Sequence, residues 1–249
     1  MKLGYLGFGN LARALDCGIM SRGLMSPENI YVCVKSENSR DHAEKLGHTS
    51  VSASELFAVC DTVVLAVKPS VFREMKATLS LLDVSGKRVV SALCGVGYDE
   101  LKTVFHCPVM RIMPSIASEG GNDIIGYCGD GGFDDFLSVL GGIGVLRKTE
   151  EENLGRFTVA ASCGIGFAAH IMQAYRDECI TLGFSPEDAE TITRCIFSFA
   201  SGAKDDFSSL EARVATKGGA TAAGISKMDE GIRTSLRSAF DASGLFEKR

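Results

Sequence analysis

Leu3-Gly4-Tyr5-Leu6-Gly7-Phe8-Gly9-Asn10-Leu11-Ala12 opens the chain with an apolar run, two spaced glycines and the start of a helix-forming segment. Leu3–Leu6 reads as a strand and Asn10 to Met20 as a helix, so Gly7-x-Gly9-x-x-Ala12 falls on a strand-to-helix turn. At such a turn the first glycine permits a tight bend and the second lets a pyrophosphate approach the backbone. The small third residue lets the helix pack close to the strand. Gly7, Phe8, Gly9, Asn10 and Leu11 are thus candidates to cradle a dinucleotide at the helix N-terminus. A glycine bend without a ligand is the competing reading, and a second strand at the proper distance weighs against it.

That second strand, Ile30–Val34, is followed by Lys35-Ser36-Glu37-Asn38-Ser39-Arg40. A site for NAD usually places an acid at this point for the ribose 2′-hydroxyl. Here Lys35, Ser36 and Arg40 instead suit a 2′-phosphate, so NADP(H) is expected, with NAD(H) possible because Glu37 could turn to a ribose. The same cations would also serve as solvated surface charges. Further strands are expected at Thr62–Val67, Arg88–Leu93 and Val109–Met113, with later ones at Ile124–Cys128 and Gly144–Arg147. Most are apolar without strict alternation, as in a parallel sheet covered on both faces. Ligands in such sheets lie beyond the strands' carboxyl ends, which brings in Ala66-Val67-Lys68-Pro69, Ser91 and Met113-Pro114. Lys68 would equally be a structural lysine at a strand end.

Composition narrows the rest. The 249 residues are 45% apolar with a formal charge of -5, which lacks the clustered basic footprint of a nucleic-acid binder. No apolar run in the sequence approaches the roughly 18 residues of a membrane span. The nine scattered cysteines include no Cys-x-x-Cys pair, and the four histidines show no ligand spacing. A cytoplasmic protein without metal, nucleic-acid or membrane partners is expected.

After Glu150 the strand signal stops. The reading is α/β, with a doubly wound dinucleotide-binding domain over 1–150 and an all-helical domain over 151–249. Helices are expected from about Asn153 to Thr181, stopped at Gly183, then from Ser185-Pro186, and from about Glu230 to Phe246. Ile192, Ile196, Phe199 and Ala203 share one face, as do Ile232, Leu236, Ala239 and Phe240. So small a helical domain cannot bury all of these alone, so self-association is expected, the alternative being packing on the sheet domain. Between helical segments lies Val214-Ala215-Thr216-Lys217-Gly218-Gly219-Ala220-Thr221. Its glycine turn and helix start could bind a carboxylate, or could simply be an inter-helix turn capped by Thr221.

These stretches together resemble the pyrroline-5-carboxylate reductase family along nearly the whole chain. "GYLGFGNLARAL", "DTVVLAVKP", "VVSALCGV", "RIMP" and "VATKGGATAAGI" resemble that family's "GFIGxGNMAxAL", "DVVxLAVKP", "VVSIAAGV", "RVMP" and "VTSPGGTTxxGL". The resemblance implies a Rossmann domain, a helical dimerisation domain and reduction of a small cyclic imino acid to proline with NAD(P)H. It also implies a homodimer or an assembly of dimers, with active sites completed by the partner. Lys217, Gly218, Gly219, Ala220 and Thr221 would then hold the substrate, and Thr221 is the candidate proton donor. Ser115-Ile116-Ala117 replaces the family's Asn-Thr-Pro, and Lys217 and Ala220 replace a proline and a threonine. These departures bear on substrate identity. A reductase for another small imine or keto acid, or a non-catalytic NADPH-binding regulator, is the alternative.

Overall fold

The computed structural model describes residues 1–243. Leu3–Leu6 forms β1, an interior strand, third in an eight-stranded sheet ordered β3-β2-β1-β4-β5-β6-β7-β8. Its partners are β2 (Ile30–Cys33), β3 (Thr49–Ser50), β4 (Thr62–Leu65), β5 (Arg88–Ser91), β6 (Val109–Met113), β7 (Asp123–Gly129) and β8 (Gly144–Lys148). All pairs are parallel except β6 with β7. That pair departs from the expected wholly parallel sheet because residues 114–122, which join the two strands, are too few. A parallel crossover needs about a dozen residues or more. The two-residue edge strand β3 was too short to show as a pattern.

Helices α1 (Asn10–Ser21), α2 (Glu37–Lys45), α3 (Ala53–Val59), α4 (Pro69–Leu79), α5 (Tyr98–Lys102) and α6 (Asp134–Gly141) cover the sheet. Leu3, Tyr5, Val64 and Val90 face one core with Ala12, Leu15 and Ile19 of α1. The alternate residues Leu6, Val63, Leu65 and Val89 face a second core, where Phe57 and Phe105 stack at 5.7 Å. Strands apolar on both sides are what two such cores require.

Beyond the sheet, Glu151–Thr181 is one helical run: α7 (Glu151–Phe157), a π turn (Thr158–Cys163) and α8 (Gly164–Thr181). Contrary to the reading of the sequence, this run is long and apolar enough to cross a membrane by length and composition, with a mean hydropathy of 1.3. Three more helices follow: α9 (Pro186–Gly202), α10 (Phe207–Val214) and α11 (Ala220–Ala242). Helix α8 stops at Gly183, whose φ is +102°: Gly183 N–H donates to the Ile180 carbonyl and Phe184 N–H to that of Cys179. This is a Schellman stop. Ser185 caps α9 by accepting from Asp188 N–H at 3.1 Å.

By packing, the chain divides into a unit Met1–Ser162 and a second from Cys163 onward. Among the described residues of the second unit only Cys179, Ala189 and Thr193 are buried. Ile196, Phe199 and Phe240 are exposed, while Ile192, Ala203, Ile232, Leu236 and Ala239 are half-buried. The helix expected from Glu230 to Phe246 is the second half of α11, and its stated end at Phe246 lies outside the described residues.

Candidate active site

A cleft of about 510 Å³ opens at the carboxyl ends of β1, β2 and β4. Strand order reverses between β1 and β4, because β2 and β3 build outward on one side and β5 and β6 on the other. Such a reversal point is where open α/β sheets hold ligands. Gly7, Phe8 and Gly9 form one wall, Lys35 and Ser36 a second, and Ala66, Val67 and Lys68 a third. Three segments far apart in sequence thus meet there. Among the described residues no carboxylate lines the cleft, while two lysines do. A larger hollow of about 650 Å³, lined in part by Met1, Asn29 and Asp135, opens at the opposite, amino ends of the strands.

The two glycines act differently. Gly7 has φ +93°, its N–H donates to the Cys33 carbonyl at 2.9 Å, and a Cβ there would lie 2.8–2.9 Å from Val67 and Ala66. It makes the bend and has no amide left for a ligand. Gly9 caps α1 in extended backbone, and a Cβ there would meet nothing within 4 Å. That open space lies in front of the first turn of α1, where Asn10 and Leu11 have no helical acceptor for their N–H groups. A dinucleotide's phosphates fit this cradle in shape and charge.

The remaining expected positions scatter. Pro69 opens α4, while Ser91, Met113 and Pro114 are buried outside the cleft lining. Ser91 Oγ accepts from Leu93 N–H, the Met113 sulfur from Thr158 Oγ1, and the Pro114 carbonyl from Ser162 Oγ. Arg40 also leaves the cleft: it lines a neighbouring hollow with Glu44 and Glu55. It is the fourth residue of α2 and does not line the cleft that Ser36 and Ser39 line.

In the second unit, Gly218 (φ +78°) and Gly219 turn the chain into α11. Gly219 N–H donates to the Thr216 carbonyl, and Ala220 and Thr221 begin the helix with no side-chain cap. Lys217, Gly218, Ala220 and Thr221 are exposed around this turn. The Thr221 hydroxyl is not used as a cap, which removes the simplest structural account of it. It does leave an anion-ready helix start.

Comparison with known proteins adds to this geometry. Residues 151–245 match the family model for pyrroline-5-carboxylate reductase dimerisation, and residues 2–95 match that for NADP oxidoreductase, coenzyme F420-dependent. A pyrroline-5-carboxylate reductase of Staphylococcus aureus is 27% identical, the match covering 92% of this chain and 90% of that protein. Among solved structures, the reductase of Streptococcus pyogenes superposes with a TM-score of 0.84 at 22% identity, covering 100% of this chain and 97% of its own. The NADP-bound pyrroline carboxylate reductase of Plasmodium falciparum gives 0.82 at 21% identity, covering 100% and 96%.

The second unit matches the pyrroline-5-carboxylate reductase dimerisation model, and most of the chain is similar to curated reductases of that name.

The departures from that family's pattern have local causes. Ser115 does not stand in for the family's asparagine at an open site. It is buried, and its amide and hydroxyl both donate to Asp123 at 2.7 Å. Ser118 Oγ and Ile124 N–H also donate to that carboxylate, so Asp123 is a satisfied anchor for the turn after β6. Ile116, beside it, is exposed and puts an apolar side chain where the family has a hydroxyl.

Reading the sequence missed several residues of the cleft. Cys33, Val71 and Met75 line it. Burial pushes the Cys33 thiol up, so it is an inert wall. Val71 and Met75 are i, i+4 on α4, an amphipathic spacing that was legible. Ser39 follows the Ser36 cap by three residues, and its N–H and hydroxyl both meet Ser36 Oγ.

Proposed function

We propose that this chain reduces pyrroline-5-carboxylate to proline with NADPH, as an obligate homodimer. The reading is carried by the carboxylate-free, two-lysine cleft at the β1/β4 reversal, with Gly9 open toward it. The identity of the family's curated members supports the substrate. When bound, the nicotinamide supplies a hydride to the imine carbon, and the ring nitrogen must gain a proton.

The chain's own groups would divide the remaining work. The first-turn amides of α1 hold the pyrophosphate, and Lys35 with the Ser36–Ser39 turn receives the 2′-phosphate. Lys68 and Pro69 edge the nicotinamide half, with Ser91 and the Met113-Pro114 turn as buried support. The substrate carboxylate docks on the turn Lys217-Gly218-Gly219-Ala220, and Thr221 brings a hydroxyl to the imine nitrogen, directly or through water. A protonated imine accepts hydride more readily, so such a donor accelerates the transfer.

The helical unit supports the dimer. Phe199 is 63% exposed and Phe207 79%, in a unit where three of the described residues are buried. The match to a dimerisation family supports a second copy as what covers them. The 1–150 and 151–249 division then separates cofactor binding from dimerisation and substrate docking. A soluble, cytoplasmic setting follows from this reading of the exposed α8 face.

Turnover of NADPH with pyrroline-5-carboxylate, beside piperideine carboxylates and small keto acids, tests the substrate. Preference for another panel member would replace it, and nucleotide binding without any turnover would favour a regulator. Thr221→Val tests the donor: kcat should fall about 100-fold if the hydroxyl protonates the imine. A rise in KM alone would assign it to carboxylate binding. Gly219→Val is a poor companion, because its Cβ would lie 2.7 Å from Thr216 Oγ1 and displace the turn itself.

A further inference from the structure

We propose that Arg13, not Arg40, supplies the second cation that selects the 2′-phosphate of the cofactor; this rests on the dinucleotide reading of the cleft. Arg13 lies on α1, one residue past the first turn, in a stretch otherwise read only for its glycines. Its Nε donates to the Phe8 carbonyl at 3.0 Å and its Nη2 to Ser39 Oγ at 3.3 Å. The guanidinium therefore spans from the glycine loop to the turn that follows β2. Ser39 lines the cleft and its hydroxyl receives the Ser36 hydroxyl at 2.9 Å, so Arg13 joins the pair of serines at the start of α2.

Three features make it a phosphate ligand held ready. Among the described residues no carboxylate pairs with Arg13, whereas Arg73, Arg88 and Arg111 each have one. Its guanidinium sits 5.9 Å over the Phe8 ring and the side chain is half-buried, so little freedom is lost on binding. Arg has five N–H donors in a planar fork, and only two are engaged here. A dianionic phosphate monoester at the α2 start would meet that fork, the Lys35 ammonium and the serine hydroxyls together. Each arginine lines a hollow that also holds two carboxylates, Arg40 with Glu44 and Glu55 and Arg13 with Asp16 and Glu119, so what sets Arg13 apart is its hydrogen bond to Ser39 of the cleft.

The test is binding, by calorimetric titration of NADPH and NADH into the wild-type protein, Arg13→Met, Arg13→Lys and Arg40→Ala. Methionine keeps much of the apolar stem, and melting curves check that each variant folds. Arg13→Met should weaken NADPH about tenfold or more and NADH by less than about threefold, with Arg13→Lys recovering part of the loss. Arg40→Ala should leave the NADPH-to-NADH ratio within about twofold. Equal weakening of both nucleotides would reduce Arg13 to a prop for the Phe8 carbonyl and overturn the proposal. So would an unchanged NADPH affinity, or a larger selective loss in Arg40→Ala. Wild-type protein that binds neither nucleotide would overturn the dinucleotide reading itself, which is a different result.

Discussion

Gly7 and Gly9 stand two residues apart, yet substitution should separate folding from binding. At Gly7 an alanine must hold φ near +93° and press against Val67 and the Ala66 carbonyl. That should cost about 1–3 kcal/mol of stability, read as a lower denaturant midpoint. At Gly9 an added methyl meets no protein atom within 4 Å. Gly9→Ala should therefore cost under about 1 kcal/mol of stability, the price of a poorer helix cap. It should weaken NADPH about tenfold or more, because the methyl stands where the pyrophosphate must approach. If Gly9→Ala binds NADPH normally, the open space is not the cofactor's. The glycine cradle was legible in the sequence because few residue types tolerate those backbone positions. The choice between Arg13 and Arg40 was not, since it depends on which face of α2 turns to the cleft and on a reach from another helix. Nor could Ser115 be seen as an Asp123 ligand, because β7 had first to fold back against β6.

Between elements, one close approach decides how α1 sits. A Cβ on Gly18 would lie 2.2 Å from the Ser118 carbonyl in the turn after β6. Alanine there would gain about 1 kcal/mol of helix propensity. The clash is with backbone, so the balance should still fall to a net loss of about 1–3 kcal/mol in urea unfolding. A stabilised Gly18→Ala would mean the contact is looser. Arg88 of β5 ties to the start of α6 through Asp135 at 2.6 and 2.8 Å, and those hydrogen bonds hold the Asp135 carboxyl below its ordinary value. A carboxyl lowered on folding stabilises above its unfolded pKa near 4, and that contribution fades as the pH falls through the lower folded value. Asp135 is about half exposed, so screening limits the effect to roughly 0.5–1 kcal/mol. Asp135→Asn should thus lower stability at pH 7 and converge on wild type in acid; a constant gap would deny the titration. Strand existence was legible because β-branched runs end at turn residues. The direction of β7 was not, since it follows from the length of a link. Helix α11 looked like two pieces because Gly224 and Gly231 each weaken helix propensity, and tertiary context overrides that.

At the scale of the molecule, the exposed apolar residues of α9 and α11 predict a dimer that persists in sedimentation at sub-micromolar concentration. Its unfolding midpoint should rise with protein concentration. A folded, active monomer would contradict that, and would leave Phe199 and Phe207 without a reason. The sequence showed the two apolar faces by their spacing, and also that so small a helical domain could not bury them alone; Ile196, Phe199 and Phe240 are exposed in the second unit. In the proposed function a hydride passes from a nicotinamide held at the β1/β4 cleft to the imine carbon of pyrroline-5-carboxylate. Its most direct test is transfer from NADPH carrying deuterium on one face of the nicotinamide C4, with the proline formed analysed by mass spectrometry. The proline should carry a single deuterium on the former imine carbon, delivered from one C4 face and not from the other. Unlabelled proline from both labelled cofactors, or no proline while NADPH remains bound and intact, would contradict it.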